Sequence, residues 1–332
     1  MLFGIMSSQR SFLTPLGVLL TATLVAISLT IVGKAVRRAR GTTLVAPLVW
    51  IFTSLLVVIA AYVNLMQPAI FPTIYRREKW WVLALCSTFC PMMSLLGAKR
   101  PQNRAWQWIV LSFWIVAALP AIQQLVLQPV EPFEISSVWR WFYAVLLLIS
   151  AVNYLPTRYA PAGLLATAGQ TVLLLPYLPM GPVAMGHPLI GIPMLGAAVC
   201  LAHVLSGVRF SKQCASTDEK LLPGWTNVWL DFRDAYGLLW GARMMERIDS
   251  LLRSSNVPAW LDWNGFHCPS SQPDRLNPQT TPPIIPISAT LSVNQSETAS
   301  ANAMDVAESG IRNLLQRFVS NDWIDRRLHV PP

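Results

Sequence analysis

Charge is scarce in this chain, and acidic residues are nearly absent from its first two thirds. Only 12% of the 332 residues are charged, whereas 53% are hydrophobic. Up to residue 208 the acidic side chains are Glu78, Glu131 and Glu134 alone. Long stretches without charge are what the hydrocarbon core of a bilayer requires. The scarcity therefore indicates a membrane-embedded region rather than a water-soluble one.

Motifs that indicate a particular reaction or cofactor are also missing. The sequence contains no Walker loop, no G-x-G-x-x-G after a strand, no G-x-S-x-G, no H-E-x-x-H and no C-x-x-C. No Asp, Glu or Lys lies deep in any apolar stretch, which disfavours a proton- or sodium-coupled carrier. The sequence thus specifies no catalytic residue and no cofactor, and it does not favour an enzyme.

What the chain does have is a series of apolar stretches long enough to cross a bilayer as helices, which takes about 20 residues. They predict an all-α, polytopic transmembrane bundle of about seven spans within residues 1–208. The fifth holds Arg140 near its start, and the sixth is interrupted by Pro176 and Pro179. The predicted spans are Phe12 to Gly33, Thr42 to Met66, Trp80 to Ala98, Ala105 to Leu127, Val138 to Leu155, Ala160 to Met180 and Pro188 to Val208.

Basic residues beside the span ends give an orientation, because Lys and Arg accumulate in cytoplasmic loops. They cluster after spans one and three, while the opposite side carries a loop with Glu131 and Glu134 and no basic residue. This predicts a multi-pass protein of a cell (inner) membrane with its N-terminus outside and its C-terminus in the cytoplasm. The formal charge of +9 is then topological, so the lipid bilayer is the expected partner and nucleic acid is not.

Four residues in the spans have the chemistry of soft-metal ligands. Cys86 and Cys90 are four apart on one predicted helix, and Cys200 and His203 are three apart on another, so each pair shares a face. Thiolate and imidazole suit copper or zinc. The alternative is that buried Cys packs as a small hydrophobe and that His203 hydrogen-bonds across helices, ligates a haem or acts as a base. Cys214 and Cys268 fall in the tail, so the five cysteines do not form a secreted disulfide framework.

Residues 209–267 are predicted to form a cytosolic module around an amphipathic helix from about 227 to 255. Thr226 or Asn227 would cap it, and Asn256 and Pro258 would end it. One face carries aromatic and arginine side chains, which would lie either in the lipid headgroup layer or against a partner helix or a domain core. Gly237 and Gly241 would permit close helix approach on a flanking face. The candidate docking and interfacial residues are Trp229, Phe232, Arg233, Tyr236, Trp240, Arg243 and Arg247.

Beyond the module the composition changes twice. Val257 to Phe266 is predicted to be extended, with an Asn264-Gly265 turn. Residues 268–302 are rich in Pro, Ser and Thr, which is typical of a disordered linker. Residues 303–332 are predicted to form a C-terminal amphipathic helix. An amphipathic segment on a flexible tether commonly docks, so residues 227–255 and 304–328 are the predicted contact regions for a membrane or cytosolic protein.

Two runs carry a resemblance. CPMMSLLGAKRPQNRAWQWIVLSFW from Cys90 to Trp114, and DFRDAYGLLWGARMMERIDSLLRSSNVPAWLDWNGF from Asp231 to Phe266, resemble segments of uncharacterised multi-pass bacterial membrane proteins. The resemblance covers most of the chain outside the linker. It implies a bacterial inner-membrane setting and brings no activity, cofactor or site residue.

Taken together, these patterns favour a non-enzymatic membrane component that serves in assembly, as a scaffold or in regulation, with a cytosolic docking helix. A transporter of small solutes or lipids is the alternative. A membrane-embedded enzyme, either a transferase or one that handles metal or haem, is the third class, and it requires Cys86, Cys90, Cys200 and His203 to converge.

Overall fold

The chain folds into two compact units, Met1–Arg209 and Phe210–Pro332, and the described residues of both are mainly helical. The computed structural model describes residues 15–66, 74–99, 103–179, 187–207, 224–267 and 290–328. The helices of the N-terminal unit are α1 Pro15–Arg38, α2 Val45–Met66, α3 Ile74–Cys86, α4 Cys90–Leu96, α5 Asn103–Leu127, α6 Ser137–Tyr154, α7 Ala160–Leu174 and α8 Pro188–Gly207. One-turn 3₁₀ helices follow α3 at Ser87–Phe89 and α7 at Leu175–Tyr177.

Within the described residues, five helical stretches are long and apolar enough to cross a membrane, which indicates a membrane protein. They are Val18–Arg38, Val45–Leu65, Tyr75–Leu96, Ala105–Leu127 and Pro188–Gly207. The predicted count of seven spans is not confirmed. The predicted start of span one at Phe12 lies outside the described residues.

The two remaining predicted spans correspond to shorter helices. α6 has 18 residues and α7 has 15, which at a rise of about 1.5 Å per residue gives lengths of roughly 27 and 22 Å. α7 stops as an α-helix at Leu174, two residues before Pro176, because Pro176 has no N–H to donate to the carbonyl oxygen four residues earlier. The chain then continues as a 3₁₀ turn to Tyr177 rather than as an α-helix to Met180.

Helix α3 occupies the centre of the N-terminal unit. It packs against α2, α5 and α7, while α1 contacts α2 and α8. Two thirds of the candidate span that contains it is buried, a far larger share than in any of the other four. Its neighbours turn many apolar side chains outward, as helices facing lipid do. The fold therefore places most side chains of α3 inside the bundle.

Glycine allows the close crossing of α7 and α8. A Cβ atom at Gly191 would lie 2.5 Å from Leu173 Cγ and 2.9 Å from the Gly169 carbonyl oxygen. On the other side of α8, Ser28 Oγ of α1 donates a hydrogen bond to the Gly196 carbonyl oxygen at 3.0 Å. Small residues that let backbones approach are a common basis of helix association in membranes.

The C-terminal unit comprises α9 Trp225–Ser254, the hairpin strands β1 Trp260–Asp262 and β2 Gly265–His267, α10 Thr290–Leu315 and α11 Asn321–Leu328. The strands are antiparallel, and Leu261 pairs with Phe266. Asp262 Oδ1 accepts hydrogen bonds from the backbone N–H groups of Asn264 and Gly265, which fixes the turn. The sequence analysis predicted a turn at this place.

Helix α9 differs from the single regular helix that the sequence predicts. Gly237 has φ 76° and ψ −170°, so α9 consists of two helical segments joined at this residue. Only glycine adopts that conformation readily. Its N-cap is Gly224 rather than Thr226 or Asn227, and Thr226 Oγ1 instead accepts a hydrogen bond from the Phe266 backbone N–H.

The predicted linker is helical in part. Its residues 268–289 lie outside the described residues, but α10 begins at Thr290 rather than at the predicted 303. The last proline of the linker is Pro286, and a proline in the interior is what breaks a helix most effectively. Composition alone therefore misplaced this boundary.

Replacing Gly191 by alanine is expected to lower the free energy of unfolding by about 1–3 kcal/mol, because the new methyl group meets backbone and side chain at once. The matched control is Gly33→Ala in α1, where no atom lies within 4 Å of an added Cβ. Thermal unfolding of both variants in detergent measures the difference. Equal stability of the two proteins would contradict the close crossing.

Candidate functional site

The central helix is interrupted at Ser87 and Thr88. Ser87 Oγ and Thr88 Oγ1 donate hydrogen bonds to the carbonyl oxygens three residues earlier, at 2.6 and 2.7 Å. Pro91 has no N–H to continue the α-helical pattern back to Ser87. The Cys90 N–H bonds to the Ser87 carbonyl instead, which gives the 3₁₀ turn Ser87–Phe89.

Three neighbouring helices donate side-chain hydrogen bonds to the backbone around this turn. Ser54 Oγ of α2 donates to the Ser87 carbonyl oxygen at 2.7 Å, and Gln170 Nε2 of α7 donates to that of Thr88 at 2.9 Å. Trp114 Nε1 of α5 donates to the Leu83 carbonyl oxygen at 3.2 Å. Backbone polar groups inside a membrane protein need internal hydrogen-bond partners. Here side chains of α2, α5 and α7 are those partners.

A charged group lies at the other end of α3. Lys79 has no exposed surface, and its ammonium group donates hydrogen bonds to the carbonyl oxygens of Gln124 and Gln128 at the C-terminal end of α5. A cation in this position complements the partial negative charge of a helix C-terminus. Glu131, in the loop after α5, also interacts electrostatically with Lys79.

The residue before Lys79 extends this polar group to a third element. The Glu78 carboxylate interacts electrostatically with the Tyr177 hydroxyl and with the Phe133 backbone N–H. The Phe133 and Tyr177 rings meet edge to face, with centroids 5.7 Å apart. We call Glu78, Lys79, Phe133 and Tyr177 the polar end cluster. It joins α3, the loop between α5 and α6, and the turn after α7.

The polar end cluster is the principal feature that the sequence analysis missed. The predicted span three begins at Trp80, so Glu78 and Lys79 were counted as loop residues. The signal was present, because Trp81 and Val82 are buried within one helical turn of them and the helix continues without a break. Chemically, the cluster offers a carboxylate, an ammonium group and a phenol, which hold charge and protons but include no activated nucleophile.

The four predicted metal ligands occupy separate environments. Cys86 and Cys90 are fully buried in the bundle core, where Cys86 Sγ donates to the Ala117 carbonyl oxygen at 3.4 Å. Cys200 lies 3.9 Å from Ser28 Oγ, and His203 is exposed. Among the residues described, no group of three or more His, Cys, Asp or Glu side chains is placed to hold a metal ion. The structure does not bring these four together.

The intramembrane amide groups, in contrast, connect helices. Gln107 Oε1 of α5 accepts hydrogen bonds from Trp50 Nε1 of α2 at 2.8 Å and from Ser94 Oγ of α4 at 3.2 Å. Gln170 connects α7 to the central turn. Hydrogen bonding between helices is a common role of amide side chains inside a membrane bundle.

The aromatic face of α9 is internal to the C-terminal unit. Trp229, Phe232, Tyr236 and Trp240 are buried. The Phe318 ring lies 5.4 Å from those of Phe232 and Tyr236 and 4.8 Å from that of Trp240, measured between centroids. The Tyr236 hydroxyl donates to the Phe318 carbonyl oxygen at 3.1 Å. Of the two alternatives for this face, the arrangement matches packing in a domain core.

The arginines of the predicted docking face have divided roles. Arg233 pairs with Asp234 at 2.7 Å and donates to the Trp263 carbonyl oxygen at 2.6 Å. Arg243 and Arg247 are exposed. Gly241 makes room for Trp263, whose ring would lie 2.8 Å from an added Cβ. Arg233 therefore belongs to the interior of the unit, and only Arg243 and Arg247 remain at its surface.

Comparison of the chain with protein-family models, with curated proteins and with solved structures gave no match.

Tyr177→Phe is expected to lower the free energy of unfolding by about 0.5–1.5 kcal/mol, because it removes the hydroxyl that interacts electrostatically with the Glu78 carboxylate. Tyr75→Phe is the matched control on α3, since Tyr75 is exposed. Denaturation of both variants in the same detergent provides the comparison. A loss no greater for Tyr177→Phe than for Tyr75→Phe would show that the polar end cluster does not hold its elements together.

Proposed function

We propose that the protein is a seven-span integral membrane protein that positions a folded cytoplasmic module at the bilayer as an assembly, scaffold or regulatory component. The two shorter helices, α6 and α7, are the additional spans. Their contribution to the bundle supports this count, since α7 packs along α8 through Gly169 and Gly191. A pair of helices that lay at the membrane surface would not need to bury glycine backbones against a membrane-spanning helix.

The proposed orientation does not depend on whether α6 and α7 cross. Five and seven are both odd numbers of spans. The chain therefore enters and leaves the membrane-spanning region on opposite sides of the membrane in either case. The positive-inside pattern then assigns the C-terminal side to the cytoplasm. The basic cluster Lys34, Arg37, Arg38 and Arg40 and the end of α8 fall on the same side under both counts.

The observation that carries the functional proposal is the closed core of the C-terminal unit. Phe318 inserts among Phe232, Tyr236 and Trp240, and two ion pairs add to the attachment of α11. Arg327 pairs with Asp231 of α9 at 2.6 Å, and Arg312 of α10 pairs with Asp325 at 2.6 Å. A chain that builds a separate folded unit beside a membrane bundle has a surface suited to holding another component there.

This core changes which residues are proposed to meet a partner. Because the four aromatic side chains of the predicted docking face are buried, a partner contacts the outward surfaces of α9, α10 and α11. Exposed apolar side chains on those surfaces include Leu239 and Val306. Regions 227–255 and 304–328 remain the proposed contact regions. Their outward faces meet the partner, and their inward faces form the core of the unit.

Native mass spectrometry of the protein, purified gently in detergent from its own membranes, is expected to show a mass above the 36.9 kDa of the chain that corresponds to a polypeptide. Phe318→Asp is expected to abolish that added mass, because a buried charge opens the core. Arg317→Asp, at the exposed neighbouring position, is the matched control and should keep it. A bare chain in the unaltered protein would contradict the assembly function.

Transport of a small solute or lipid is the second candidate, and the interrupted central helix favours it. Discontinuous helices and ionisable groups inside a bundle are features of transporter sites, and α3 combines the 3₁₀ turn Ser87–Phe89 with the buried Lys79. Passage of solute through reconstituted vesicles, lost on Lys79→Met and kept on Arg76→Met at the exposed position nearby, would favour transport over assembly.

A further inference from the structure

The arginines described in the C-terminal unit fall into two groups. Arg233, Arg253, Arg312 and Arg327 each form an ion pair with an aspartate, at nitrogen to oxygen distances of 2.7, 2.5, 2.6 and 2.6 Å. Arg243 and Arg247 are exposed, and no ion pair joins either one to a carboxylate in the part of the chain that the structure describes. Arg317 and Arg326 also form no ion pair with a carboxylate among the described residues, so four of the eight described arginines are paired and four are not. Arg243 and Arg247 are the two unpaired arginines that lie on one helix.

These two arginines share one surface of α9 with an exposed leucine. Leu239, Arg243 and Arg247 follow one another at intervals of four residues after the break at Gly237, so their side chains lie along one face. Leu239 is 47% exposed. The Arg243 guanidinium carbon lies 5.7 Å from the centroid of the Trp240 ring, which positions it at the edge of the aromatic core. We call these three residues the outer arginine face.

The charge of the outer arginine face is positive. Glu246 is exposed beside it, and Asp249 is already paired with Arg253. The two guanidinium groups therefore exceed the nearby unpaired acid by one charge. Guanidinium groups bind phosphate through two parallel hydrogen bonds. An apolar side chain beside basic ones on the exposed face of a helix is the pattern of segments that lie at a lipid surface.

The length of chain that separates this helix from a candidate span limits where it can act. Residues 208–224 lie between the end of α8 and the start of α9. Seventeen residues extend to at most about 60 Å at roughly 3.5 Å per residue. The outer arginine face is thus kept at high local concentration near a bilayer surface, where anionic headgroups present many phosphates.

We infer that the outer arginine face binds anionic phospholipid headgroups, with Arg243 and Arg247 contacting phosphate and Leu239 lying against the lipid. This differs from an interfacial helix that inserts its aromatic rings, since those rings are internal to the unit. The inference does not rest on the proposed assembly function, because it requires lipid alone and no protein partner.

The test uses the full-length protein in nanodiscs, with a donor fluorophore at Ala242→Cys on an exposed position of α9 and an acceptor on the lipid headgroups. Serine replaces Cys200, Cys214 and Cys268, while Cys86 and Cys90 are fully buried and stay. Energy transfer is expected to be greater in discs that contain phosphatidylglycerol than in discs of phosphatidylcholine alone, and to fall as salt is added.

Charge-neutralising variants identify the residues responsible. Arg243→Gln with Arg247→Gln is expected to lower the ratio of docked to undocked protein about thirtyfold, since each arginine near an anionic surface contributes about fivefold. Lysine at both positions keeps the charge and should retain most of the docking. Glu246→Gln should increase it. Arg326→Gln, at an exposed arginine of α11 that bonds only to the Asp322 carbonyl oxygen, is the matched control and should leave it unchanged.

Three results would overturn the inference. The first is equal energy transfer in anionic and zwitterionic discs. The second is a loss on Arg326→Gln as large as on the double glutamine variant, which would mean that any positive charge on the unit serves equally. The third is a loss with the lysine pair as large as with the glutamine pair, which would remove the electrostatic basis. Unfolding of each variant is followed by circular dichroism to show that the unit remains intact.

Discussion

The arrangement of the bundle depends on the backbone carbonyl groups around the interruption of its central helix. Pro91 removes an N–H from α4, and the chain responds with a 3₁₀ turn in which the Ser87 carbonyl bonds to Cys90. In a membrane no bulk water is available to complete the bonding of such groups. Ser54 and Gln170 supply donors from α2 and α7. The neighbours of α3 are therefore selected by hydrogen bonding as well as by apolar packing.

The other contacts of the bundle close around this centre. Backbone approach at Gly169 and Gly191 joins α7 to α8, and Ser28 joins α1 to α8. At the far end of α3, Lys79 complements the C-terminus of α5. Helix packing, capping and buried polar pairing thus act on the same few helices. The bundle is thus held together around its interrupted central helix.

Features that depend on residues close in sequence could be predicted, whereas contacts between distant segments could not. Apolar length predicted where helices run, and the Asn264-Gly265 turn was predictable because it depends on local chemistry. The sequence did not reveal that Phe318 would fill the aromatic face of α9, because the two segments are more than 80 residues apart and many hydrophobic residues would serve. Gly237 was interpreted as a packing residue, since its backbone conformation is set by the fold. Lys79 was missed because a hydropathy boundary, rather than helix continuity, defined the span.

The central claim is that Pro91 interrupts the α-helical hydrogen bonding after α3. The Ser54 hydroxyl then supplies a hydrogen bond to the Ser87 carbonyl oxygen. A double-mutant cycle on unfolding in detergent tests this directly. Ser54→Ala alone is expected to cost about 1–3 kcal/mol, because a buried carbonyl loses a donor. In the Pro91→Ala background the restored N–H replaces that donor, so the cost of Ser54→Ala should fall by at least about 0.5 kcal/mol, beyond the scatter of independent sites. Additive losses would contradict the account.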